Sequence, residues 1–169
     1  MRHTLTATLT LCCALAGPAV TRPAAQPPAA HPEEAAILEV VDRFMHAVSS
    51  TDPADMAAIR LEGGFNIVDR PAEGGGTVVT RRLFKPSASK GTYRERYWDP
   101  VVHVRGAIAV VWTPYEFWND GKTSHCGIDV FDLMKEQGTW KIANAMWTVE
   151  PDACPSLRPK DPSRVRPAK

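Results

Sequence analysis

An α+β fold, with helices gathered on one side of an antiparallel sheet, is predicted by three observations. Residues 33–50 carry apolar side chains at helical spacing. A short capped helix follows at residues 52–59. Residues 107–150 then read as a three-strand meander with a legible turn at each corner. The run from Ala107 to Trp118 is apolar and β-branched or aromatic, and Asn119-Asp120-Gly121 supplies a hairpin turn. Residues 122–134 form the middle strand and Glu136-Gln137-Gly138 the second turn. Residues 139–149 form the third strand, which Pro151 ends.

In the first helix Ile37, Val40, Val41, Phe44 and Val48 share a face, with Glu34, Glu39, Asp42 and Arg43 between them. Pro32 suits its first turn, and Glu33-Glu34 complement the amino-terminal dipole. Asp52 caps the second helix, which turns Met56 and Ile59 inward and is stopped by Gly63-Gly64. Phe65–Val68 and Thr77–Thr80 pair as a hairpin across Gly74-Gly75-Gly76. Residues 81–91 accommodate a short helical turn around Leu83-Phe84, limited by Pro86. Residues 93–104 make a further strand bent at Asp99-Pro100.

The 169 residues are 44% hydrophobic and 23% charged, which fits one globular domain. Residues 33–154 hold 13 basic against 18 acidic side chains, a net of −5, which gives no reason to expect nucleic-acid binding. Residues 155–169 are basic and contain four prolines, the composition of a solvated, disordered tail. Met1-Arg2-His3, the apolar run from Leu5 to Leu15 and Ala14-Leu15-Ala16 read as an export signal over residues 1–16. The run is too short to span a bilayer. Cys12 raises the alternative of a lipoprotein signal, against which stands Leu11, where a small residue is wanted. Residues 17–32 are an Ala/Pro-rich spacer. The expected location is periplasmic or secreted.

Export changes how the cysteines are read. Cys12 and Cys13 leave with the signal, so Cys126 and Cys154 remain, an even pair in an oxidising compartment. A bridge between them closes a loop of about 28 residues, worth about 3–4 kcal/mol in the chain-entropy model. Two cysteines without CxxC or HxxxH spacing do not make a zinc site, so no metal is expected. The glycine run 74–76 is followed by a β-branched strand and no lysine, not by the helix that a phosphate loop needs. No cofactor motif is found.

The amphipathic helix pair, followed by a sheet ending Gly138-Thr139-Trp140-Lys141-Ile142, resembles the nuclear transport factor 2-like superfamily. More narrowly, Val111-Trp112-Thr113-Pro114-Tyr115 and Ser124-His125-Cys126-Gly127-Ile128-Asp129 are similar to its exported SnoaL-like or lumazine-binding-like members. The resemblance covers residues 33–154 and implies a sheet wrapped as a cone around the first helix, with a ligand pocket at its open end. It implies an unidentified small molecule as partner and the pairing of two copies through the sheet. On chemistry it is nearly silent, since one fold hosts many functions.

Strand alternation selects the pocket residues. In the middle strand His125, Gly127, Asp129, Phe131 and Leu133 face inward, because Asp132 on the other face is expensive to bury. In the last strand Trp140, Ile142, Asn144 and Met146 face inward, opposite Lys141. The preceding strand depends on its turn. A three-residue Asn119-Asp120-Gly121 loop puts Thr113, Tyr115 and Phe117 beside His125 and Asp129. A two-residue Asp-Gly loop puts Trp112, Pro114 and Glu116 there; the first is favoured because it keeps Glu116 in water. The pocket set is therefore Tyr115, Phe117, His125, Asp129 and Asn144. His125 and Asp129 lie about 13 Å apart along the strand, too far to bond. In a catalytic reading Asp129 is a general acid or base raised by burial, and His125 or Tyr115 polarises a carbonyl or hydroxyl. In a structural reading Asp129 simply accepts hydrogen bonds from aromatic donors. Two function classes follow: an exported ligand-binding or association domain, or a cofactor-free lyase or isomerase acting on an apolar carbonyl compound. Amino-terminal sequencing of the native protein is expected to find a start just after Ala16; an intact Met1 would remove the export argument.

Overall fold

The computed structural model describes residues 30–50, 52–88 and 91–166. The expected signal and most of the spacer lie outside the described residues. In chain order the elements are α1 (Glu34–Ser49), α2 (Pro53–Ala58), β1 (Arg60–Pro71), β2 (Thr77–Leu83), β3 (Tyr93–Trp98) and β4 (Val101–Arg105). There follow β5 (Ile108–Asn119), β6 (Lys122–Glu136), β7 (Thr139–Thr148), α3 (Cys154–Leu157), a 3-10 turn (Pro162–Arg164) and β8 (Val165–Arg166). Among the described residues, no helix is long and apolar enough to cross a membrane.

The strands form one curved sheet in the order β2-β1-β7-β6-β5-β3-β8, with β4 also paired to β5. Every pair is antiparallel except β1 with β7, so the sheet is mixed where all-antiparallel pairing was expected. The exception arises because the first hairpin joins the sheet beside the last long strand, far from its sequence neighbours. The predicted bend at Asp99-Pro100 is present. Asp99 adopts φ +49°, and β3 and β4 pair with opposite halves of β5.

The apolar stripe of α1 packs into the concave face. Ile37, Val41 and Met45 are fully buried against Val111, Leu133 and Ile142, and Phe44 meets Phe131 edge-on at 4.9 Å between ring centroids. Glu33 anchors the start of the helix, accepting hydrogen bonds from Lys135 Nζ at 2.9 Å and Trp140 Nε1 at 2.8 Å. Asp52 caps α2 as predicted, accepting from the Ala54 amide at 2.8 Å.

Three local expectations are corrected. Gly63-Gly64 do not stop α2, which ends at Ala58; they lie in a bulge of β1 against β7. A Cβ on Gly64 would sit 2.0 Å from the Ala143 carbonyl oxygen, so only glycine allows the two strands to approach there. Leu83-Phe84 form no helical turn. β2 runs to Leu83, and the Phe84 amide donates to the Gly64 carbonyl, continuing the hairpin.

The third correction concerns the basic tail. Residues 154–166 fold back onto the domain, and β8 pairs with β3. Two buried carboxylates explain this. Asp42, placed by its spacing on the polar side of α1, is 4% exposed. It accepts from Tyr97 Oη at 2.8 Å and from Arg166 Nη2 at 2.7 Å. Glu116 points away from the concave face as favoured, yet is buried rather than in water. It accepts from Arg96 Nη2 at 2.8 Å, Thr123 Oγ1 at 2.6 Å and both Nε and Nη2 of Arg158. Burial pushes this carboxyl up, but the hydrogen bonds from Arg158, Thr123 and Arg96 outweigh it, and the net direction is down. A basic, proline-rich composition reads as solvated, but here two of the tail's arginines are counterions for the core.

Cys126 and Cys154 are bonded, with Cα atoms 5.0 Å apart, pinning this segment over β6. The bridge and the Arg158–Glu116 pair therefore act together. Cys154→Ala and Arg158→Ala are each expected to lower the melting temperature, and their combined loss should differ from the sum of the two by at least about 0.5 kcal/mol. Strict additivity in a double-mutant cycle would show that the two fastenings are independent.

Candidate functional site

The cone is not filled to its mouth. Beyond Phe44 the helix leaves a cavity of ≈ 630 Å³ between α1, α2, the end of the first hairpin and the concave face. Its walls are largely apolar: Val48 and Met56 from the helices, Phe84, Tyr93, Phe117 and Trp147 from the sheet and loops. Into it project Arg60, Glu95, His125 and Asp129, with the exposed Arg70 nearby.

The turn before β6 decides the facing. Asn119 pairs with Lys122, so the loop has only two residues, Asp120 and Gly121, both at positive φ (51° and 75°). That loop alone would have turned Glu116 inward. A bulge at Ser124 reverses the parity, because Trp118 pairs with Thr123 and Phe117 with His125. Tyr115 and Phe117 thus share the face of His125 and Asp129. The favoured facing is right, and a bulge rather than a three-residue loop produces it.

A second bulge corrects one site residue. Asp132 pairs with Asn144 and Leu133 with Ile142, which leaves Ala143 extra and flips the remainder of β7. Asn144 is therefore on the convex face, donating to Asp132 Oδ2 at 3.3 Å and accepting from the Phe65 amide at 3.1 Å. Met146 turns outward with it, and Trp147 takes the place at the cavity.

Tyr115 is fully buried. Its ring crosses Gly127, where a Cβ would meet its Cε1 at 2.9 Å, and its hydroxyl donates to the Thr148 carbonyl at 2.7 Å. Burial first, then the Asp129 carboxyl, holds this phenol well above its ordinary value. Its proton is committed to the backbone, so Tyr115 does not polarise a ligand oxygen. His125 is half-buried, stacked on Phe117 at 5.1 Å between centroids, with Nδ1 3.0 Å from Ser124 Oγ. Burial and then Arg70 lower its pKa, which makes it a neutral imidazole at pH 7.

Asp129 is 3% exposed and has a partner that sequence reasoning did not single out. The Glu95 carboxyl, 6% exposed, is set against that of Asp129, so that the state of each acid depends on the other. Burial raises both. Glu95 is pushed up to about 8, and Asp129 rises well above its ordinary value by burial and by the charge of Glu95. Asp129 Oδ2 receives no bond from an N–H or O–H donor. Thr113, its cross-strand partner, donates instead to the Trp98 carbonyl at 2.7 Å. The signal for Glu95 was the alternation Tyr93-Arg94-Glu95-Arg96-Tyr97, which puts the acid on the face of the two tyrosines. Arg60 had no such signal, because its position was read as the end of a helix.

Among the described residues one further cluster has metal-ligand composition: Glu116, Cys126 and Cys154, with ligand atoms within 4.8 Å of one another. The cysteines are joined as a disulfide and offer no thiolate, and the arginines occupy Glu116.

The acid pair makes stability depend on pH with a definite sign. A carboxyl raised above its unfolded value of 4.5 binds its proton more tightly in the folded state. Its contribution is complete below that value and is lost as pH rises through about 8. His125, lowered from 6.5, acts oppositely but only below that value, and Glu116 acts oppositely only below 4.5. Between pH 6.5 and 8 the melting temperature is therefore expected to fall, and Glu95→Gln should remove most of the slope, because it takes out one raised acid and the neighbour that helps to raise the other. A flat or rising profile in the wild-type protein would contradict the raised acid pair.

No protein-family model matches the chain, and no curated protein matches it in sequence. Solved structures do. A Mycobacterium tuberculosis protein of unknown function superposes with a TM-score of 0.56 at 16% identity, over 75% of this chain and 77% of that one. The β subunit of a candidate aromatic-ring-hydroxylating dioxygenase from Novosphingobium aromaticivorans gives 0.54 at 12% identity, over 69% and 88%. A nuclear transport factor 2-like protein with a cystatin-like fold from the same organism gives 0.53 at 12% identity, over 75% and 89%. At these identities the likeness is one of architecture, and it does not distinguish the SnoaL-like branch from the rest. The curved sheet, the helix packed in its concavity and these superpositions together identify the chain as having the nuclear transport factor 2-like fold.

Proposed function

We propose that this is an exported domain that takes a small, mostly apolar molecule into the cone and handles a proton on it. One observation carries the reading. An apolar cavity of ≈ 630 Å³ has, set in its wall, two buried carboxyls beside each other, both raised by burial. A structural acid pair is a poor device for stability, since a packed apolar side chain would hold the same space without desolvating a charge. As a site the pair is useful. The protonated carboxyl can donate to a carbonyl or hydroxyl oxygen while the other accepts a proton from an adjacent carbon. That is the chemistry of a cofactor-free isomerase or lyase. Glu95 takes over the role expected of Tyr115 and His125.

Simple binding, without turnover, is the second reading. It is favoured by Tyr115 being committed to the backbone and by His125 standing neutral with its Nδ1 beside Ser124. The disulfide supports export. The exposed Val79, Trp112 and Met134 on the convex face support pairing of two copies through the sheet.

The test is native mass spectrometry of protein isolated from its own host. It is expected to show a bound small molecule with the wild-type protein. Incubating that molecule with enzyme in D2O should then place deuterium on carbon. Asp129→Asn is expected to abolish the exchange while the mass remains bound. Binding without exchange in either protein would leave the binding reading and remove the enzymatic one.

A further inference from the structure

Arg60 is a charge without a counter-charge. Its side chain lines the cavity and the residue is only 4% exposed. Nη2 donates to the Phe65 carbonyl at 3.1 Å, and the guanidinium face lies 4.5 Å over the Phe84 ring. Nε and Nη1 are buried and have no hydrogen-bond partner in the protein. The ion pairs of the described residues leave Arg60 out. The remaining residues of the chain contain no Asp or Glu that could supply one. Neither Glu95 nor Asp129 neutralises it; burial alone acts on this arginine. Asn66, whose backbone follows the Phe65 carbonyl, adds a buried and unpartnered Oδ1 in the same wall.

A buried guanidinium is costly unless an anion meets it. Phe65 takes one Nη2 hydrogen. The other, with Nε–H on one side or Nη1–H on the other, leaves a complete two-pronged fork. We infer that Arg60 is the anchor for a carboxylate, so that the molecule held in the cone is an apolar carboxylic acid. Its acid group lies at Arg60 and its carbon skeleton along Phe84, Phe117 and Trp147. The inference rests on the small-molecule reading of the cavity and names the substrate class for it. The reacting end of such a molecule reaches the Glu95–Asp129 pair, while its carboxylate stays at the arginine.

Naphthalene-2-carboxylate and its neutral amide are matched probes, titrated calorimetrically into the full protein at pH 7 and physiological salt. The wild-type protein is expected to prefer the carboxylate by at least about tenfold. In Arg60→Met that preference should fall to about one. Arg60→Lys, which keeps the charge but loses the fork, should give an intermediate preference and serves if the methionine variant does not fold. A wild-type preference near one, or a preference unchanged in either variant, would overturn the carboxylate anchor and leave the cavity reading intact. Failure of both probes to bind would overturn the small-molecule reading and this inference with it.

Discussion

The pleat of a β-strand allows only two facings, and this site depends on that constraint being broken twice. Side chains alternate with a period of two, so one extra residue reverses every facing beyond it. The bulge at Ser124 places Tyr115 and Phe117 on the face of His125 and Asp129. The bulge at Ala143 removes Asn144 from that face and supplies Trp147. Without the first, Glu116 would enter the cavity as a third acid. Without the second, Trp147 would stand on the convex surface and the cavity would lose one of its largest apolar walls. Gly64 belongs to the same device, because its missing side chain lets β1 press onto the Ala143 carbonyl.

Charges away from the cavity are treated differently from those in its wall. Away from it, two buried carboxylates are matched. Glu116 has Arg96 and Arg158, and Asp42 has Arg166 with the Tyr97 hydroxyl. These pairs hold the carboxy-terminal segment to the domain, and the disulfide keeps it within reach. In the cavity wall the matching stops. Glu95 faces another acid, and Arg60 faces aromatic carbon and a single carbonyl. The same chain that places arginines on those two carboxylates leaves the cavity groups unmatched, although the matched pairs show that counterions were within its means.

Much of the architecture was legible because it rests on short-range signals. The face of α1, the Asp52 cap, the Asp99-Pro100 bend and the turns at Asp120-Gly121 and Gln137-Gly138 are all written in neighbouring residues. What was not legible was set by distant ones. A bulge shows in pairing, not in composition, so Asn144 was placed by an alternation that Ala143 interrupts. Glu116 and Asp42 were assigned to water because a lone carboxylate belongs there, and their arginines lie 42 and 124 positions further along the chain. The carboxy-terminal segment was misread for the same reason. Of the five pocket residues expected, Tyr115, Phe117, His125 and Asp129 meet at one cavity. Glu95 was missed although its strand alternates plainly, because an acid among arginines on a polar-looking strand reads as a solvated ion pair.

The placement of the unmatched groups argues for use more than their number does. Natural proteins keep buried polar groups satisfied, and exceptions gather where a ligand completes them. Here Arg60 Nε and Nη1, Asn66 Oδ1 and Asp129 Oδ2 are buried without partners, and all three residues line one cavity. Asp69 Oδ1 is the other such atom among the described residues, and Asp69 lies on the convex face instead. Donors at the arginine and a buried acid pair elsewhere in the wall define two polar ends with aromatic carbon between them. An empty apolar hollow would accept any hydrophobic molecule of the right size. These two ends ask for one with an anion at one end and a proton-exchanging oxygen or carbon at the other.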